Sequence, residues 1–225
     1  MEYLLTLLSI FFVNILLSGD NALVIALASR DLPAKHKKMA TLLGSAGAVG
    51  LRIVLTFLTV FLLKIPFLKL VGGLLLFWIA VKLLTNNEED NKEVEAKDHL
   101  WGAVQTIIVA DLVMSLDNVV AIAGVAKGNM VLVIIGLLTS IPIVIWGSNL
   151  ISLLMKKWPI TITIGAAILG WTAGEMVHAD KQIEPLLESF TWTSWALPAV
   201  FAVVVVLVGL FLARKAQVET GHGGR

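Results

Sequence analysis

The chain contains no cysteine. That excludes disulfides, thiolate metal sites and thiol nucleophiles. Charge is scarce as well: Asp, Glu, Lys and Arg make up 15% of the residues, against about 25% in soluble domains. The four histidines, His36, His99, His178 and His222, lie outside or at the ends of apolar runs. None pairs with another at metal-ligand spacing. The formal net charge is +1 with no basic block, so nucleic acid is not an expected partner. The first apolar run lacks a basic leader and a small-residue cleavage site, so no cleaved signal peptide is expected.

Apolar residues fill the chain instead. They reach 58% of 225 residues, with a mean hydropathy of +0.91. Seven runs stand out, at 3–29, 40–63, 66–85, 100–126, 130–151, 158–178 and 194–213. Each is near the length of about 20 residues that crosses a bilayer as a helix. The expected fold is therefore all-α: a polytopic membrane protein with seven transmembrane helices and the lipid bilayer as its surroundings. Pro33 closes the first run, Pro66 and Pro159 open the third and sixth, and Pro198 falls in the first turn of the seventh, where a missing N–H costs little. The stretch NNEEDNKEVEAKD, 86–98, is polar and aperiodic and is expected to be a mobile surface loop. Placing the N-terminus outside puts twelve Lys and Arg residues on the inner side. Lys64, Lys69, Lys127 and Lys181 are left outside, and Arg52 within the second run. By the positive-inside rule the C-terminus is then cytoplasmic.

The polar residues inside the apolar runs repeat. NILLSGDNALVIALASR, 14–30, matches DLVMSLDNVVAIAGVAK, 111–127. Asn14, Ser18, Asp20 and Asn21 fall on Asp111, Ser115, Asp117 and Asn118. GGLLLFWIAVKLL, 72–84, matches GAAILGWTAGEMV, 165–177, with Trp78 on Trp171. The matching runs are separated by an odd number of crossings, so the two copies face opposite ways. The expected organisation is a first three-helix repeat at 1–85, a cytoplasmic linker at 86–99, and a second, inverted repeat at 100–178. Residues 179–225 then form an outer loop, the seventh helix and a cytoplasmic tail. Inverted repeats of this kind place a substrate site at the midplane in many transporters. Apolar letters match cheaply by chance; the Ser-x-Asp-Asn spacing does not.

Asp20, Asp111 and Asp117 all fall near the middle of their runs. An ionised Asp there costs about 2.5–3.5 kcal/mol or more, and a bound divalent metal ion would compensate. Asn14, Ser18 and Asn21 share one helical face, as do Asp111, Ser115 and Asn118. Asp20 and Asp117 lie about 120° around at 100° per residue, so a straight helix cannot aim all four groups at one point. Gly19 permits local unwinding that frees carbonyls; Leu116 in the second motif does not. Ser and Asn also bond between membrane helices as a matter of routine. An all-oxygen set favours Mg²⁺, Ca²⁺ or Mn²⁺. Met114, one turn from Asp111, would add a thioether and tilt the preference to Mn²⁺, although packing alone accounts for a membrane Met. Arg52 could balance the empty site or pair with one Asp, and exchange of metal for protons would give antiport. Glu175 and Lys82 occupy matching places in the sixth and third runs, as gate residues or as side chains snorkelling to the interface. Trp101, Trp158, Trp192 and Trp195 read as interfacial anchors.

With NILLSGDNALVIALASRDLP and DLVMSLDNVVAIAGVAKGN in view, the sequence resembles the TerC family of integral membrane proteins, in its short seven-span form. The likeness covers about residues 1–178. It implies manganese(II) efflux across a bacterial cell membrane. It also implies that Asp20, Asn21, Asp111, Asp117 and Asn118 hold the metal, with Asn14 as the counterpart of Asp111. No resident cofactor is expected, since manganese would be cargo. A homo-oligomer is compatible with the pattern. The alternatives are a carrier of Ca²⁺ or another cation or solute, and an intramembrane metal-dependent enzyme. The enzyme would need a basic phosphate pocket, for which only Arg52 is near, so no enzymatic activity is expected.

Overall fold

The computed structural model describes residues 19–62, 65–85, 96–125, 130–187 and 190–222. Among them every regular element is a helix: α1 Gly19–Ala28, α2 Ala34–Leu62, α3 Leu68–Thr85, α4 Ala96–Val125, α5 Met130–Lys157, α6 Ile160–His178, α7 Glu184–Leu187 and α8 Thr193–His222. An all-helical chain follows from its composition, because a helix pairs its own backbone groups where no water can. Five stretches are long and apolar enough to cross a bilayer: Ala34–Leu58, Leu68–Thr85, Leu137–Lys157, Ile160–His178 and Thr193–Lys215. The protein is thus an all-helical, multi-pass membrane protein with about five candidate spans. Gly19–Ala28 and His99–Ser115 are shorter apolar helical stretches. Most of the first expected run lies outside the described residues.

Helix limits differ from the sequence expectation in physically simple ways. α2 starts six residues before its apolar run, because Pro33 supplies a carbonyl that accepts from Lys37 N–H at 2.8 Å and fixes the first turn. α4 starts at Ala96, so the last residues of the expected linker are helical; Ala and Lys, its first two residues, are good helix formers. Residues 86–95 of that linker lie outside the described residues. α7 forms in the expected outer loop.

The chain divides into two compact units, each drawing helices from both halves of the sequence. The first comprises Met1–Ile65 and His99–Leu153, the second Pro66–Asp98 and Leu154–Arg225.

In the first unit, Ala22 and Ile25 of α1, Ile107 of α4 and Val144 of α5 form one buried cluster. Ala40 of α2 packs in another with Leu100, Ala103 and Val104 of α4. A Cβ on Gly44 would fall 2.7 Å from Ile107 Cγ2, and one on Gly47 2.7 Å from Ile108 Cδ1. Small residues on α2 therefore let α4 come close. The pairings advance together along both helices, so α2 and α4 run parallel.

In the second unit, α3, α6 and α8 pack on one another. A Cβ on Gly174 would stand 2.5 Å from Pro198 Cα, and one on Gly73 2.6 Å from the Ala173 carbonyl oxygen. These are backbone contacts that no rotamer change relieves. Trp101, Trp158, Trp192 and Trp195 are all exposed, and Lys157 Nζ lies 4.9 Å from the Trp158 ring centroid.

Candidate functional site

Four helices of the first unit line a small, partly open cavity. Asn21, Val24 and Ile25 come from α1, and Ser45, Ala48, Val49 and Arg52 from α2. Ile107 and Asp111 come from α4, and Ile141 and Val144 from α5. The spacings are helical: steps of three, four and seven return to one face. The polar members are Asn21, Ser45, Arg52 and Asp111; the rest of the lining is apolar. The cavity offers about 20 Å³ to the centre of a water-sized guest, room for a water or a largely dehydrated ion.

Arg52 and Asp111 are the electrostatic centre. Arg52 is 3% exposed and Asp111 7%. Arg52 Nε donates to Asp111 Oδ2 at 2.9 Å, and Arg52 Nη2 donates to Oδ1. The pair is bidentate, the arrangement in which a planar guanidinium matches a carboxylate. Ser115, one turn along α4, donates its hydroxyl to Asp111 Oδ2 at 3.0 Å. Thr56 Oγ1 donates to the Arg52 carbonyl at 2.8 Å, which satisfies the hydroxyl within α2. Of the two charge-balancing roles open to Arg52 from the sequence, the structure displays pairing with one aspartate.

The other expected site residues are distributed unevenly. Asn21 is buried and lines the cavity. Asp20, half-buried at the start of α1, does not line it. Met114 is buried on α4 outside the lining. Asp117 and Asn118 belong to the unbroken helix α4, but their side chains lie outside the described residues, as do Asn14 and Ser18. Glu175 is exposed on α6, in the second unit. Its sequence counterpart Lys82 is exposed on α3, 5.2 Å from the Trp78 ring centroid. Among the described residues no three His, Asp or Glu side chains gather as a metal cluster.

Ser45 is the residue that sequence reasoning missed. It is 3% exposed, lines the cavity, and its Oγ has no hydrogen-bond partner among the described residues. A buried hydroxyl in that state costs about 1–3 kcal/mol. The available signal was its spacing of seven from Arg52, which returns to the same face of α2.

A buried Asn, Ser and Arg–Asp pair with apolar walls on membrane-type helices is the setting in which sequence relatives become informative. The model of the integral membrane protein TerC family matches residues 1–217. The chain belongs to the TerC family. Similar proteins include the Bacillus subtilis (strain 168) "Uncharacterized membrane protein YjbE", 42% identical over 93% of this chain and 96% of that protein. "Uncharacterized membrane protein YkoY" of the same organism is 25% identical over 90% of this chain and 71% of its own length. The Escherichia coli (strain K12) "UPF0053 inner membrane protein YgdQ" is 29% identical over 54% of this chain and 59% of its own. No solved structure is detectably similar to this TerC protein.

Proposed function

We propose that this TerC protein is a secondary transporter that exports Mn²⁺ from the bacterial cytoplasm, and is not an enzyme. The observation that carries the reading is the cavity in which Asn21, Ser45 and Asp111 converge beside a buried Arg52. A buried carboxylate within membrane-type helices is costly and marks an ion path by default. Carboxylate, amide and hydroxyl oxygens suit a hard divalent cation, and the manganese efflux implied by the motif resemblance is the reason for proposing Mn²⁺ among them. Asp20, Asp117, Asn118 and Asn14 belong to the same paired motif and are proposed to complete the ligand set. Ser18 would assist from the first motif and Glu175 would act at an entrance.

The proposed architecture has seven spans, with 1–85 and 100–178 as inverted three-helix repeats that rock about the site. The N-terminus is outside and the C-terminus inside. The parallel course of α2 and α4 is consistent with it, since a single span then lies between two helices crossing in the same direction. Proton exchange is the proposed driving force.

The test is metal flux in proteoliposomes across a panel of Mn²⁺, Ca²⁺ and Mg²⁺. Mn²⁺ should move with the wild type and stop with Asp111→Asn. Flux that the substitution leaves unchanged would refute the site, and movement of Ca²⁺ or Mg²⁺ alone would refute the cargo.

A further inference from the structure

Arg52 does not belong in a cation site by its own chemistry. A guanidinium is permanently positive and has donors but no acceptor. Yet it is buried, and it holds both oxygens of the cavity's only carboxylate among the described residues. Ser115 takes a further lone pair of Oδ2. Three of the roughly four lone-pair positions of Asp111 are therefore taken, while Ser45 Oγ in the lining of the same cavity is buried with no partner among the described residues. The cavity thus offers an open hydroxyl oxygen and a carboxylate that already has a cation.

We propose that Arg52 is a tethered counter-ion which competes with the transported divalent cation for Asp111. This rests on the proposed function above and adds a role to one residue of that site. The entering cation takes the carboxylate and Ser45 Oγ, and the guanidinium moves off. When the cation leaves, the guanidinium returns. The carboxylate is then never left as a lone charge in a low-dielectric interior, which would be costly. The displaced guanidinium also repels the bound cation. Both effects weaken binding and speed release, as a carrier requires. Removing Arg52 should tighten binding and slow turnover, the reverse of what losing a ligand does.

The experiment uses the full chain in lipid nanodiscs, titrated with MnCl₂ and read by the loss of the free-Mn²⁺ electron paramagnetic resonance signal. Arg52→Gln should bind Mn²⁺ about tenfold or more tightly than wild type, because the cation no longer competes with the guanidinium and all of Asp111 is binding-competent. In proteoliposomes its kcat and KM should fall together. Mn²⁺ should raise its melting temperature more than that of the wild type. Arg52→Lys should fall between the two, since an ammonium cannot hold both oxygens in the same way; it carries the test if Arg52→Gln fails to accumulate. Unchanged or weaker Mn²⁺ binding in both variants, with binding lost in Asp111→Asn, would overturn the counter-ion role alone. Wild-type binding by Asp111→Asn would instead remove Asp111 as a ligand, and the inference with it.

Discussion

Each compact unit buries one well-described aspartate, and the two are held in different ways. Asp180, 2% exposed, follows α6 in the second unit. Its Oδ2 accepts from Leu70 N–H at 3.0 Å and its Oδ1 from Gln182 N–H at 3.0 Å. Leu70 sits in the first turn of α3, whose preceding residue is Phe67 at φ 59°. A Phe cannot cap a helix, so Asp180 does so from another segment. Asp111 in the first unit is held by a guanidinium and a hydroxyl. Backbone donors are fixed in place; side-chain donors can rotate away. The difference separates a carboxylate built into the fold from one that can change partners. Packing follows the same division. Gly73 and Gly174 seat the helices of the second unit backbone to backbone, whereas the first unit leaves a cavity among its four helices.

The contrast can be broken experimentally. Asp111→Asn should have the largest effect. It leaves Arg52 buried without a counter-charge, a loss of about 3–5 kcal/mol, and cells should accumulate Mn²⁺. The double variant Arg52→Gln, Asp111→Asn should recover most of the melting temperature and none of the export. Recovery of export would show that the charge pair is only structural. Next comes Gly174→Ala, whose added methyl meets Pro198 Cα at 2.5 Å. Overpacking of this kind costs about 1–3 kcal/mol, visible as a lower melting temperature with normal export per folded molecule.

Asp180→Asn should cost less, about 0.5–2 kcal/mol, the worth of a helix cap. Mn²⁺ binding should be unaltered; loss of binding in a well-folded variant would erase the distinction between the two acids. Glu175→Gln should do least, within about 0.5 kcal/mol as for exposed substitutions generally. Mn²⁺ export assayed at low and high external salt measures whether an entrance charge matters.

The membrane class, the helical architecture and most of the helix positions were legible in the residues. Long apolar stretches leave a chain few other options in lipid, and hydropathy is a local property. The centre of the site was legible in part. Asp111, Ser115 and Asn21 drew attention because polar groups inside apolar runs are rare, and Arg52 for the same reason. Ser45 did not, since a lone serine in an Ala- and Gly-rich helix is ordinary.

The amino-acid sequence by itself determined that charged and amide side chains must be carried on apolar helices, twice, at matched spacing. Only the tertiary structure decided which of them meet. Asp111 takes Arg52, 59 positions away, and Asp180 takes the first turn of α3, 110 positions away. Such pairings depend on how closely α2 can approach α4 and α3 can approach α6. That closeness is set by where glycine leaves out a side chain opposite a neighbouring helix, and no single run of residues contains its own neighbour.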